Sequence, residues 1–330
     1  MSKNTTPNWE NQTMFIEDNI NILRGMNSNS VDLIYLDPPF NSDETYSAPI
    51  GSKAAGAMFK DSWNLTDLDI SWLGTIADLY PDVFEIINSS GRFHGDSMKS
   101  YLCMMTIRLI ELERILKENG SIYLHCDPTA SHYLKLIMDA VFGKNKFQNE
   151  IIWKRTNSHN SAKRWGPIHD VILFYAGSNK TWNRVLVPYS DEYIDKTYKK
   201  SEERGKYNVV DLTGGGLRYG ESGKPWKNFD PNKSGKGRHW AVPKLESLPS
   251  WLLIPRDYDE LSPHEKLNFL DDQKLIEWSK NGRPGFKKFY EEDSGAGVPV
   301  QDLIADINRI SSTSKESLDY PTQKPIELLK

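Results

Sequence analysis

Residues 31–41 read VDLIYLDPPFN. Val31 to Leu36 is a largely apolar run with β-branched members, which predicts a buried strand of a parallel sheet. The run stops at an acid, two prolines and an aromatic. In open α/β sheets chemistry gathers in the crevice beyond the carboxyl ends of the strands, and Asp37 falls at such an end. Pro38 and Pro39 fix φ twice and remove two N–H donors, and the residue before each is held extended. The free polar groups of this stiff turn are therefore acceptors: the Asp37 carboxylate and the backbone carbonyls. Phe40 adds a flat apolar face. Rigid acceptors beside an aromatic suit an amine carried on a flat ring. Such an amine is a poor nucleophile because its lone pair is delocalised. Acceptors in fixed directions draw its hydrogens out of the ring plane and localise that pair. For these four residues taken alone, a diproline turn after a strand is the plain alternative.

The neighbouring sequence supplies the setting. TMFIEDNINILRGM (13–26) predicts a short strand ending near Asp18, then a short helix. From Ser97 to Glu118, Met98, Leu102, Met105, Leu109, Leu112 and Leu116 alternate spacings of four and three, the apolar face of a long helix. Asp96 or Ser97 is its expected cap and Gly120 its expected stop. SIYLHC (121–126) reads as the next strand, with Asp127 as N-cap and Pro128 as first residue of a helix reaching about Phe142. NEIIWKR (149–155) and DVILFYAG (170–177) read as two further strands. Strand and helix in alternation predict an α/β fold. From about Asn179 the Gly, Pro, Asn and Lys content rises and periodicity fades. Residues 179–310 read as an inserted, loop-rich region with one clear helix start, LSPHEKLNFL, where Ser262 and Glu265 form a capping box around Pro263. SLDYPTQKPIELLK (317–330) returns to order and opens a helix near Pro325.

Composition bounds the class. The chain has 330 residues, 38% hydrophobic and 26% charged, enough for a packed core. No apolar run is long enough to span a bilayer, and the polar start MSKNTTPNWENQ has no signal-peptide apolar region. The two cysteines, Cys103 and Cys126, exclude a disulfide scaffold and a four-cysteine zinc site and suit a reducing cytoplasm. The net charge of −4 hides an asymmetry: residues 144–240 carry 19 Lys and Arg against 10 Asp and Glu. A basic stretch inside an acidic protein suggests a polyanion partner, although a solvated basic surface gives the same count.

At this point the chain resembles the S-adenosylmethionine-dependent amino-methyltransferases of DNA, in the β arrangement where the catalytic half precedes the cofactor half. VDLIYLDPPFN resembles the family's catalytic motif. NGSIYLHCDPTASHYLKLIMDAVFG resembles the strand–helix unit that follows it. NEIIWKRTNSHNSAKRWGPIHDVILFY resembles the later catalytic strands, and DYPTQKPIELL the motif before the cofactor loop. The resemblance implies a Rossmann-like sheet in circularly permuted order. It divides the chain into a catalytic half (1–178), a target-recognition region (179–310) and the start of a cofactor half (311–330). By the same resemblance Asp37 and the Pro38 carbonyl hold the target amine, Pro39 completes the turn, and Phe40 stacks on a flipped base. Trp153 and Lys154 lie near the base, and Asp18, Asp37, Gln323 and Lys324 line the cofactor site. Methyl transfer is direct, with no covalent intermediate and no metal. Asp in the first motif position leans toward adenine N6 over cytosine N4. Double-stranded DNA is the implied partner, with a restriction subunit or a second copy in addition.

In the recognition region, GKPWKNFDPNKSGKGRHW (223–240) interleaves basic and aromatic residues. Lys224, Lys227, Lys236 and Arg238 are expected at phosphates or base edges, with Trp226 among them. A flexible basic loop is the alternative. The family's glycine-rich cofactor loop normally follows the YPTQKP motif, and no other segment supplies it. TGGGLRYG (213–220) lacks a strand–loop–helix setting, and GESGKPW (220–226) departs from a phosphate loop. The expectation is a chain cut short before that loop, with weak or no methylation by itself. A split enzyme completed by another chain and a non-catalytic DNA-binding remnant are the rivals. His125, Cys126 and Asp127 are adjacent on a strand and so point to opposite faces, a poor metal cluster; structural roles are expected for all three.

Overall fold

The computed structural model describes residues 6–41, 44–47, 58–61, 70–157, 163–233, 235–290, 297–311, 313–320 and 322–330. The chain forms two compact units, one of Met1–Asn183 with Gln301–Lys330 and one of Arg184–Val300. Among the described residues no helix is long and apolar enough to cross a membrane.

In the first unit, helix α1 (Asn19–Gly25) is capped by Asp18, whose carboxylate accepts from the Ile20 N–H at 3.0 Å. The strand expected over 13–18 does not form; these residues lack regular structure, and Met14 and Ile16 stand in solvent. Strand propensity needs a neighbour to pair with, and none reaches this segment among the described residues. Strand β1 (Val31–Leu36) follows, then the antiparallel pair β2 (Glu44–Ser47) and β3 (Met58–Asp61). Helices α2 (Ile70–Leu79), α3 (Pro81–His94) and α4 (Asp96–Ile115) lead into β4 (Leu116–Cys126). Helix α5 (Ser131–Met138), β5 (Phe147–Lys154) and β6 (His169–Ala176) complete this part.

Helix α4 is the spine of the core. The apolar positions Met98, Leu102, Met105, Leu109 and Leu112 are all buried, and so are Tyr101, Cys103 and Ile107 on its other sides. The helix packs against α1, α2, α3 and α5, so its burial is not confined to one stripe. Its start has Gly95 at the cap rather than Asp96 or Ser97. Its end is not Gly120: Leu116 already belongs to β4. The register of β1 against β4 slips between Val31 and Leu33, and Gly120 lies in the bulge, where a Cβ would meet the Leu116 side chain at 2.6 Å. Likewise α5 begins three residues later than expected, with Ala130 at its cap, and Asp127 instead closes the preceding turn.

The chain then enters the second unit. It runs through β7 (Leu186–Val187), α6 (Asp191–Thr197), β8 (Lys200–Glu202), β9 (Gly205–Asp211), β10 (Thr213–Gly215) and β11 (Arg238–Trp240). Helix α7 (Pro263–Asp272), β12 (Ile276–Trp278), β13 (Pro284–Phe289) and β14 (Val298–Pro299) follow. The expected loop-rich region also carries a small sheet and a core of its own. Strands β12, β13, β9 and β8 form an antiparallel sheet in that order, over a core of Tyr207, Leu212, Trp226, Trp240, Leu267 and Phe286. Short strands and long-range pairing leave little periodicity for a sequence reading to detect. The capping box is present on α7, with Ser262 and Glu265 satisfying each other's backbone N–H.

The chain returns as β15 (Leu303–Ile304), and α8 (Ile326–Leu329) ends it. Residues 301–310 therefore lie with the first unit, although the sequence reading grouped them with the insert. The main sheet is mixed, in the order β1-β4-β6-β5-β15. β1/β4 and β5/β15 are parallel, and β4/β6 and β6/β5 antiparallel. β1 is an edge among the described strands, not a strand buried on both faces: Ile34 is buried while Leu33 is 61% exposed.

Candidate active site

Asp37, Pro38, Pro39 and Phe40 follow β1 directly and line a cleft of about 570 Å³. The other lining residues come from the ends of β4, β5 and β6 (Asp127, Arg155, Asp170), from Tyr35, and from the C-terminal segment (Tyr320, Thr322, Gln323, Lys324, Leu329). The turn closes with Asn41 at φ +61°, a conformation Asn tolerates better than most residues. The Ser97 hydroxyl donates to Asn41 Oδ1 at 2.8 Å and ties the turn to the first turn of α4.

Asp37 is held from two sides. Lys324 Nζ donates to Asp37 Oδ1 at 2.9 Å and to Oδ2 at 2.8 Å, and lies 5.2 Å from the centre of the Phe40 ring. His125 Nδ1 lies 3.9 Å from Asp37 Oδ1 on the inner side. Lys324 is delivered by the returning chain. Ile152 N–H donates to the Asp302 carbonyl at 2.7 Å, and Arg309 N–H to the Arg155 carbonyl at 3.0 Å. The loop beyond closes on itself: Gln323 donates to the Glu316 carbonyl and accepts from Leu318 N–H. Glu316 in turn accepts from Ile326 N–H at the start of α8. The Gln323 amide thus serves the loop while its side chain lines the cleft.

Behind the turn is a buried polar cluster. His125 is fully buried and bonds the Tyr35 hydroxyl (2.7 Å) and Asp170 (3.2 Å). Its ring sits 5.4 Å from Phe40 and edge-on to Trp153 at 5.7 Å. Burial, then the negative charges of Asp37 and Asp170, push the Tyr35 phenol well above its ordinary range, so it remains a hydroxyl at neutral pH. Burial also raises the Asp127 carboxyl, against hydrogen bonds from Thr129 and Ala130 that lower it.

The structure brings together Asp37, Pro38, Pro39, Phe40, Gln323 and Lys324. It does not bring in Asp18, whose carboxylate caps α1 and pairs with Arg108 at 2.7 Å. Trp153 is buried behind the cleft, its indole N–H donating to the Ile307 carbonyl at 2.7 Å, and Lys154 is not among the lining residues. Tyr35, Asp127, Arg155 and Asp170 line the cleft without having been singled out for it. Tyr35 had one legible signal, a spacing of two from Asp37 that puts both side chains on one face of an extended chain. His125 was given only a structural role, and its contacts with Tyr35, Phe40 and Asp170 needed the sheet to be assembled.

In the second unit the basic and aromatic residues divide. Trp226 is 5% exposed; it stacks on Trp278, meets Trp240 edge-on, and donates its N–H to Asn268 at 2.8 Å. Its expected place among DNA-contacting residues is corrected: the ring is core. Lys227 pairs with Asp271, and Arg238 is tied to Asp211 and Thr213. Lys224 and Lys236 are exposed, with no side-chain partner among the described residues.

The profile of the N6_N4_Mtase family, described as DNA methylase, matches residues 31–330. The Type II methyltransferase M.EcaI of Enterobacter cloacae is 30% identical over 70% of this chain and 46% of its own length. The StyLTI Mod subunit, of a Type III restriction-modification enzyme of Salmonella typhimurium, is 31% identical over 95% of this chain and 44% of its own length. The chain thus spans less than half of either relative. The solved M1.HpyAVI–SAM complex is 12% identical over 54% of this chain and 60% of its own, at a TM-score of 0.27, too low to equate the two folds element by element. With a matching profile that runs from the first residue of β1 through α8 to Lys330, the chain belongs to the DNA methylase family.

Proposed function

We propose that the protein transfers a methyl group from S-adenosylmethionine to an exocyclic amine of a base in double-stranded DNA, with adenine N6 favoured over cytosine N4. The observation that carries this reading is the acceptor turn Asp37–Phe40 at the carboxyl end of β1, opening on a cleft, in a chain of the DNA methylase family. Asp37 and the Pro38 carbonyl accept the two hydrogens of the amine and localise its lone pair, and Phe40 stacks on the base. The amine nitrogen, its lone pair localised, would take the methyl group that a bound sulfonium supplies, and the Asp37 carboxylate would take up the proton it then releases. Asp37 is placed to stabilise the positive charge that builds on the nitrogen.

The cleft fits a cationic cofactor. Three carboxylates (Asp37, Asp127, Asp170) line it against two cations (Lys324, Arg155), leaving one carboxylate in excess, and three aromatic rings (Tyr35, Phe40, Tyr320) offer faces to a positive group. Bound there, S-adenosylmethionine supplies an electrophilic methyl on sulfonium. Gln323, Lys324 and Asp37 are the residues proposed to border it; Asp18, committed to α1 and Arg108, takes no part in this cleft. Exposed Lys224 and Lys236 of the second unit are the proposed phosphate contacts. The name of the StyLTI Mod subunit places that relative in a Type III restriction-modification enzyme, and a restriction subunit is the proposed partner in a cytoplasmic complex.

The test is incorporation of labelled methyl from S-adenosylmethionine into duplex DNA of mixed sequence, followed by mass spectrometry of the nucleosides. N6-methyladenine that vanishes in Asp37→Asn supports the reading. N4-methylcytosine corrects the base. Incorporation that survives Asp37→Asn removes the acceptor turn from the mechanism.

A further inference from the structure

Tyr35 and Asp37 leave the chain on the same side, and both line the cleft. Beneath them His125 engages both its ring nitrogens, with no exposure to solvent. Nε2 faces Asp170, which is buried and lies 2.9 Å from Arg155 Nε, an ion-pair distance without hydrogen-bond alignment. The Asp170 carboxylate accepts, so Nε2 carries the hydrogen. In the tautomer with hydrogen on Nε2, Nδ1 is the acceptor and the Tyr35 hydroxyl donates to it. The Tyr35 proton therefore points into the interior, toward a residue that is not part of the cleft lining. The Tyr35 oxygen keeps its lone pairs for whatever enters from the other side.

A buried histidine bonded at both ends is costly unless every bond is made, and an apolar residue would fill the same place more cheaply. What the imidazole adds is direction. It fixes which way the Tyr35 hydroxyl donates, and so which way its oxygen can accept. Asp37, the obvious acceptor, has both oxygens engaged by Lys324, whereas no bond to Tyr35 other than that of His125 is present on its oxygen among the described residues.

We propose that the Tyr35 oxygen shares with Asp37 one of the target amine's two hydrogens, and that His125, held by Asp170 and Arg155, is the positioning residue that turns that oxygen toward it. The proposal rests on the reading of Asp37–Phe40 as an amine-binding turn and adds to it a group two residues upstream. As the nitrogen gains positive charge during methyl transfer, a hydrogen bond to the Tyr35 oxygen strengthens, so the contact favours the transition state over the ground state.

The test compares nucleosides that differ only in the amine: adenosine against purine riboside, and cytidine against the pyrimidin-2-one riboside that carries hydrogen in place of the amine. Binding to the intact 330-residue chain is measured by calorimetry. The wild-type protein is expected to prefer the amine-bearing member of one pair, and Asp37→Asn to abolish that preference. Tyr35→Phe keeps the ring and is expected to reduce the preference about three- to tenfold, the worth of one hydrogen bond, with binding of the amine-free nucleoside unchanged. A merely structural role would lower both affinities together. His125→Leu is expected to match Tyr35→Phe, with no further loss in the double variant. His125→Gln can accept from Tyr35 and donate to Asp170, and is expected to recover part of the preference; it also serves if His125→Leu does not fold. An unchanged preference in Tyr35→Phe overturns the proposal while the amine-binding turn stands. No preference in the wild-type protein overturns both.

Discussion

Lys324 and Asp37, 287 residues apart in the chain, form a two-pronged ion pair at the mouth of the cleft, with Nζ 2.9 and 2.8 Å from the two carboxylate oxygens. The lysine side chain is 12% exposed and the carboxylate 28%. An ammonium donating to this carboxylate beside Phe40 occupies the place proposed for the target amine. The same cation neutralises a carboxylate that is mostly out of solvent.

Two opposed effects follow for Lys324→Met. Stability is expected to fall by about 1–2 kcal/mol, between the values for exposed and buried pairs. Adenosine binding is expected to tighten about three- to tenfold, since an acceptor released from one donor serves another. Thermal denaturation and calorimetry on the same variant separate the two. Weaker binding would mean that Lys324 orients Asp37 for the amine rather than competing with it.

Ser97 ties the acceptor turn to α4 through Asn41. Ser97→Ala removes one part-buried hydrogen bond, expected to cost about 0.5–1.5 kcal/mol in stability. Its effect on methyl transfer is expected to be larger, because the bond fixes the direction of the turn. A denaturant melt and a single-turnover rate measured together decide this.

The second unit separates core from surface. Trp226→Ala is expected to destabilise by about 3–5 kcal/mol, since the indole is buried and its N–H is paired. Lys236→Ala is expected to leave stability unchanged and to lower the slope of log binding constant against log salt by about 0.9 for DNA, as for one lost phosphate contact. Salt titrations on both variants check the division.

Glu277 gives the pH dependence its sign. Its carboxyl is held below the ordinary range, first by the hydrogen bond from Lys200; burial, the next effect, opposes this, and the Tyr207 hydrogen bond and nearby lysines add to the lowering. The folded protein therefore binds fewer protons at this site than the unfolded one. The stabilisation is present above the unfolded carboxylate range and is lost as pH falls through the lowered folded value. Melting temperatures between pH 6 and 3, about the carboxylate range, are expected to decline less steeply in Glu277→Gln.

Local signals carried much of the fold. The apolar spacing of Met98 to Leu112 gave α4, the capping box gave α7, and the apolar runs gave β1, β5 and β6. Errors gathered where a distant partner decides. Met14 to Ile16 have strand composition and, among the described residues, no strand beside them, and Leu116 to Gly120 continue a helical pattern that β1 captures as a bulged ladder. The division of the basic stretch was also out of reach, because charge and aromatic content say nothing of which indole is covered.

The sequence by itself determined the acceptor turn and the family. Two prolines restrict their own backbone wherever they are placed, and the motif order from 31 to 330 is a property of the chain. Only the tertiary structure decided that Lys324 meets Asp37 and that His125 meets the Tyr35 hydroxyl. It also decided that Asp18 caps α1 and pairs with Arg108 and that Trp226 serves packing. Each of these is a long-range pairing: hydrogen bonds and ion pairs depend on distance and direction between side chains, and those exist only once the sheet has set which strand ends share a cleft.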